Sequence, residues 1–277
     1  MKRDAFIELL NTEEYRYEAP EKTYIREFEQ LNKWTSDEVL NLWDEHVERV
    51  GVPPTAEYYI EEGLRLTKEH WFKDSEKGRL ATYKWDSQWG SWNITYIPWK
   101  DEFEQGIRYR LGRMYESFMA EYSALAIIGK YYPFSLVFAD NAMDLVLGVD
   151  MVVVENDKVV YLHVTKNSEW AEQNLQRKAE KSIQMKNVTG RKYLWERRWT
   201  ESHEPLFYDL FESDTTESVN GHHIFKESYV QGVIDYKLTL DIDGYKCGTS
   251  ELADFHRYLK ENWIQEHGIA SMVVEFE

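Results

Sequence analysis

Four polar side chains stand in otherwise apolar surroundings: Glu121, Asp150, His163 and Lys166. Two carboxylates can hold a hard divalent cation, and a neutral imidazole can orient or deprotonate a water near neutral pH. An ammonium can offset charge on a phosphate. As a set they suit metal-assisted hydrolysis of a phosphodiester.

The elements that must carry them follow from spacing. Between Met143 and Lys166 two β-rich runs flank Glu155-Asn156-Asp157-Lys158, a polar turn, and this predicts a β-hairpin. Pairing Val154 with Val159 puts Asp150 opposite His163. Side chains alternate along a strand, so Asp150, Val152, Tyr161, His163 and Thr165 share one face. Val149, Met151, Val153, Leu162 and Val164 line the other, which is wholly apolar, and Lys166 lies just beyond the hairpin end. Upstream, Ile107, Leu111, Met114, Phe118, Tyr122 and Leu125 recur at helical spacing, with Gly129 placed to end the helix. Glu121 falls on that stripe, where a carboxylate is costly unless paired, hydrogen-bonded or bound to metal. Downstream, Phe134–Phe138 reads as a strand before the hairpin, Ser168 caps a helix running to about Met185, and Arg191–Glu196 reads as a further strand.

The order helix, three strands, helix, strand, with these residues on it, resembles the restriction-endonuclease-like, or PD-(D/E)XK, nuclease superfamily over about residues 103–199. The resemblance implies an α/β fold of the α+β kind with an αβββαβ core, and a Mg²⁺ (or Mn²⁺) site. Within it Glu121 matches the helix acid, and Asp150, in Gly148-Val149-Asp150, matches the metal-binding aspartate. His163 stands where the second acid usually does. The family lysine follows that acid by two residues, but here that position is Thr165 and Lys166 comes one later; counting back from Lys166 puts Val164 in the acid position. A bulge brings Lys166 round, another base replaces it, or the site is degraded.

Before this section, Thr35-Ser36-Asp37-Glu38 has the form of a capping box ahead of Val39, Leu40, Leu42, Trp43, His46 and Val47, with Gly51 at the end. Pro53-Pro54-Thr55 opens a second helix. Gly51, Pro54 and Thr55, followed by Trp89-Gly90-Ser91-Trp92-Asn93, resemble the helical DNA-binding repeat that accompanies some homing endonucleases, over about 36–99. That resemblance implies a helix before Trp89 and DNA contacts from Thr55, Lys84, Ser91 and Asn93. The plainer alternative makes Trp85, Trp89, Trp92 and Trp99 core aromatics of a small helical bundle.

Composition bounds the function. The 277 residues are 43% hydrophobic and 15% aromatic, ample for a core. Neither a long apolar run nor a charged-then-apolar leader is found, which predicts a cytoplasmic protein without a membrane segment. A single cysteine, Cys247, excludes an intrachain disulfide and a cysteine-based zinc cluster. The net charge of −17 opposes sequence-independent nucleic-acid binding by the whole surface. Yet Lys166–Thr200 carries nine basic residues against four acidic ones, whereas Met1–Glu57 carries seven against fourteen. In the basic stretch Arg191, Lys192, Arg197 and Arg198 are candidates for phosphate contacts, with Trp195 and Trp199 between them. His222-His223 lacks the companions of a metal motif, and no phosphate loop or nucleophile elbow occurs.

Glu201–Asn220 is acidic and rich in Ser and Thr and reads as a loop with a short helix; Ser228–Val233 and Asp235–Ile242 read as alternating strand runs, and Ile269–Phe276 as a last strand. The expected division is therefore 1–100 helical, 101–200 nuclease-like and 201–277 a β-rich extension. The expected function is a Mg²⁺-dependent, site-specific endonuclease of double-stranded DNA, of restriction or homing type. One such site cuts one strand, so a homodimer is expected. The rival reading is a catalytically degenerate nuclease-fold protein that binds DNA or a host protein for a phage or mobile element.

Overall fold

The computed structural model describes residues 1–25, 37–73, 79–86, 91–139, 149–155, 158–184, 203–239 and 273–274. It is a mixed α/β protein whose described contacts divide it into two units, Tyr17–Glu116 and Met1–Arg16 with Ser117–Glu277. The boundary falls inside a helix, whereas the sequence reading put its boundaries near residues 100 and 200.

In the Tyr17–Glu116 unit, α2 (Asp37–Val50) and α3 (Ala56–Lys73) are joined by the Gly51–Thr55 turn. The Thr55 hydroxyl accepts the Tyr58 N–H at 3.3 Å, the expected cap for α3. Trp43, Tyr59 and Tyr115 pack edge to face or tilted at 5.7–6.0 Å, and Trp71 stands edge-on to Trp99 at 5.1 Å. These rings are packing residues. The stretch before Trp89 is not helical. Arg79–Asp86 (β1) pairs with Ser91–Pro98 (β2) in an antiparallel hairpin. The reason is visible in the register: Tyr83 meets Ile94 and Trp85 meets Trp92, an aromatic and β-branched set that favours pleated pairing over a helix.

The other unit is built on a five-stranded mixed sheet, β6-β5-β4-β3-β9. Helix α4 (Phe103–Tyr131) runs two residues past Gly129 and leads to β3 (Leu136–Phe138). Then come β4 (Met151–Glu155), β5 (Lys158–Lys166), α5 (Glu169–Gln184) and β6 (His203–Tyr208). Strands β3, β4 and β5 are antiparallel neighbours, and β6 lies parallel to β5. Ser168 Oγ accepts the Ala171 N–H at 3.3 Å, the predicted cap of α5. The strand expected at Arg191–Glu196 lies outside the described residues, and β6 occupies a stretch read as loop. Its acidic, Ser/Thr-rich flanks masked a short apolar run in which Leu206 and Tyr208 are buried.

In the C-terminal stretch the described residues mix strand and helix. Two short strands, β7 (Thr216–Val219) and β8 (His222–Phe225), form a hairpin around Asn220-Gly221. Both turn residues have positive φ, 49° and 90°, the conformation that selects Asn-Gly there. The runs read as strands from Ser228 onward form a helix, α6 (Glu227–Thr239). Val230, Ile234 and Lys237 recur at helical spacing and are its buried residues, so the apolar period is 3.6 rather than 2. The final strand survives as β9 (Val273–Val274), paired with β3.

Helix α1 (Arg3–Leu10) belongs to this unit and is tied to it from its first turn. The Arg3 guanidinium pairs with Glu217 and donates to Phe225 O at 3.1 Å. The Asn220 amide donates to Leu10 O and Thr12 O, both at 2.9 Å. Among the described residues no helix is long and apolar enough to cross a membrane.

Candidate functional site

The hairpin of β4 and β5 has the register expected from the sequence: Val154 faces Val159, Val153 faces Val160 and Met151 faces Leu162. Asp150 stands immediately before β4, half-buried, one residue beyond the last pair of the register, Met151 with Leu162. Its N–H donates to Leu162 O at 3.1 Å. Its Oδ2 accepts the Val164 N–H at 2.7 Å. The carboxylate thus supplies the acceptor for a strand N–H at the point where the pairing leaves the β4–β5 register. A carboxylate in this role is held rigidly at the strand end, beside the C-terminal end of β5.

The two sheet faces are then distinguished by what covers them. Met151, Val153, Val160, Leu162 and Val164 share one core cluster with Ala120, Ala124, Leu125, Ile127 and Ile128 of α4, and with Val230 and Ile234 of α6. Helix α4 therefore covers the apolar face. Leu206 and Tyr208 of β6, partners of Val164 and Lys166, are in the same cluster. Alternation puts half-buried Lys166 at the end of this face, two residues beyond Val164. Glu121, also half-buried, lies one turn before Ala124 and Leu125 on α4, and its Oε1 accepts from Ser117 Oγ at 3.4 Å. Glu121 and Lys166 are thus on the α4 side of the sheet. His163, 1% exposed, is on the opposite face with Val152 and Tyr161.

This arrangement limits what a cation could bind. Among the described residues there is no group of three or more His, Cys, Asp or Glu side chains able to hold a metal ion. His163 does not join Glu121, since the sheet separates them. The donors that remain, the carboxylates of Asp150 and Glu121, are hard oxygen ligands. Mg²⁺ characteristically takes one or two carboxylates and fills its shell with water and substrate phosphate oxygens. By chemistry, two carboxylates suit that ion better than a three-ligand centre.

The other sequence candidates are dispersed. Thr55 is the α3 cap, and Lys84 is the cross-strand partner of Asn93, as Asp86 is of Ser91. Arg191, Lys192, Arg197 and Arg198 lie outside the described residues. His222 is 2% exposed, and its Nε2 donates to Tyr15 O at 2.5 Å; burial lowers its affinity for a proton. A second polar centre escaped the sequence reading altogether. Arg3, Lys130, Glu217 and Glu227 converge from four separate elements, with Lys130 Nζ 2.9 Å from Glu227. Residues so far apart in the chain leave no spacing to recognise.

The chain matches no protein-family model, none of the curated proteins and no solved structure.

Proposed function

We propose that the section from α4 to β6 is a restriction-endonuclease-like core and that the protein is a metal-dependent DNA endonuclease. The element order supports this reading, as does a sheet in which three antiparallel strands are followed, after a helix, by a strand parallel to the third. The observation that carries it is Asp150, pinned by the Val164 N–H at the strand end where Lys166 also terminates.

In this mechanism Asp150 and Glu121 would hold Mg²⁺, which would supply a polarised phosphate and a water of lowered pKa. The rigid hydrogen bond at Asp150 fixes one carboxylate before substrate arrives, so little ordering remains to be done on binding. Lys166, at the end of the α4 face, offsets charge growing on the phosphate oxygens. His163 packs in the opposite layer and takes no part in the proton transfer. The basic stretch after Lys166 and the Tyr17–Glu116 unit bind the DNA, and two copies of the chain cut two strands.

A second reading has one specific observation behind it. Val164 fills the position two residues before Lys166 and is 7% exposed in the core, so no carboxylate can stand there. On this reading the nuclease fold serves a non-catalytic DNA- or protein-binding factor. Incubating the protein with plasmid and phage DNA at low salt in Mg²⁺ or Mn²⁺, beside Asp150→Asn, decides between them. Discrete fragments lost in the variant support the enzyme. Intact DNA over a wide panel of sequences sinks it in favour of the binding factor.

A further inference from the structure

Away from the strand end, a cleft of about 590 Å³ opens between α1, the β7–β8 hairpin and the start of α6. That volume is in the range of small-molecule sites. Its charged lining is balanced, with Arg3 and Lys226 against Glu217 and Glu227. Both carboxylates already have cations: Glu217 pairs with Arg3, and Glu227 with Lys130 at 2.9 Å and more loosely with Arg3 at 3.8 Å. The Tyr131 hydroxyl also donates to Glu227.

Arg3 is the residue left with capacity to spare. It is 1% exposed, its Nη2 serves Glu217 and Phe225 O, and its Nη1 has no hydrogen-bond partner among the described residues. A guanidinium nitrogen enclosed without an acceptor costs about 1–3 kcal/mol or more, because the water it gave up is not replaced. The same cleft is bordered by the first turn of α6, a 13-residue helix. The N–H groups of Tyr229 and Val230 both go to Lys226 O, at 3.2 and 3.3 Å. Those of Glu227 and Ser228 precede the helix ladder and are oriented toward its N-terminal end, which favours negative charge.

We propose that this cleft is a binding site for a small organic monocarboxylate. One carboxylate oxygen suits Nη1, the guanidinium nitrogen that Glu217 and Phe225 O leave unpartnered, and the second suits the first-turn N–H groups of α6 and the Ser228 hydroxyl. Ile7 and Val219 give an apolar wall for the rest of the ligand. The chemistry selects one negative charge rather than two. Glu217 and Glu227 stay beside the site, so a phosphate dianion meets like charge that a monoanion meets at half strength. The site is independent of the nuclease reading and stands whether or not DNA is cut.

The test titrates the full chain at neutral pH with butyrate and, separately, with inorganic phosphate. Binding is read by saturation-transfer NMR on butyrate and by the rise in unfolding temperature with either anion. Arg3→Lys keeps the charge and removes the fork. Gln231→Trp fills the cleft from a half-buried position of α6 with Arg3 itself unchanged, and so serves even where Arg3→Lys fails to fold. Saturable millimolar butyrate binding, weakened about tenfold or more in both folded variants, is the expected result. Unchanged affinity in Gln231→Trp, phosphate binding as tightly as butyrate, or no saturation with butyrate overturns the assignment.

Discussion

The structural role of the Asp150 carboxylate and its proposed metal-binding role are separable, and a pair of substitutions pulls them apart. Its Oδ2 accepts the Val164 N–H at 2.7 Å, and Val164 is only 7% exposed, so water cannot readily replace the carboxylate there. Asp150→Ala removes a hydrogen bond to a charged acceptor and leaves an enclosed N–H. Such a loss costs about 2–3 kcal/mol, and at about 2–4 °C per kcal/mol for a domain of this size the midpoint falls by about 4–12 °C. Asp150→Asn keeps an oxygen in the same place. It forfeits only the difference between a charged and a neutral acceptor, about 1 kcal/mol or 2–4 °C. Cleavage should follow the charge and ignore the stability. Both variants should lose about a hundredfold or more, since even the groups that merely support metal ligands are worth 10–100-fold. Calorimetric melting and plasmid nicking in Mg²⁺, on the same three preparations, check both orders. Equal midpoints for Ala and Asn would refute the structural role, and wild-type nicking by Asn would refute the metal-binding role.

Lys166→Gln should lower single-turnover cleavage by about 10²-fold while leaving DNA affinity in Ca²⁺ unchanged; a matched loss of affinity would assign the lysine to binding instead. Gly112→Ala should be net destabilising despite the roughly 1 kcal/mol that alanine adds to a helix, because the new Cβ would lie 2.6 Å from Cδ and 2.7 Å from Cγ of the rigid Pro20 ring. Gly63→Ala would put its Cβ 2.8 and 3.1 Å from the two Cδ atoms of fully buried Leu111, so its urea midpoint should fall, though by less than that of Gly112→Ala, where the clash is with a rigid ring. Burial holds His222 below its ordinary pKa, so the unfolded chain takes the proton first. Stability is intact above about pH 6.5 and falls as pH drops below it, by at most about 1.4 kcal/mol per unit from this residue. His222→Gln should shallow that slope in urea titrations at pH 7.5 and 5.5 without abolishing it, since His46 and His223 are shifted the same way.

What the sequence disclosed depended on how far each signal was local. The β4–β5 register was readable because β-branched runs meet at a polar turn. The Thr55 and Ser168 caps were readable because a cap bonds within three residues of itself. The stretch from 201 to 239 was misread for the opposite reason. β6 earns its place by pairing in parallel with a strand some forty residues earlier, and nothing in its own acidic surroundings announces that partner. α6 carries enough apolar residues to satisfy either period over a short window, and only packing of Val230 and Ile234 into the core selects the helix. β1 was read as helix on the strength of a resemblance, although its own alternation and aromatic content favour a strand.

The candidate site shows the same limit in a sharper form. Counting along β5 put Asp150 and His163 on one face, and Glu121 on the apolar stripe of the preceding helix. Register alone cannot say which face a helix covers. The cluster of Ala120, Ala124 and Leu125 with Met151, Val153, Leu162 and Val164 answers it, and it puts α4 over the apolar side. Since His163 and Lys166 are three residues apart, an odd spacing, they cannot both face α4 along a regular strand. Choosing the α4 side selects Lys166 and Glu121 and discards His163. Asp150 escapes the choice because it stands at the strand end, where its side chain closes the ladder rather than projecting from either face. A site assembled this way has one acid on a helix, one at a sheet edge and a valine where a third group would stand. The proposed chemistry therefore has to rest on the two carboxylates and the lysine.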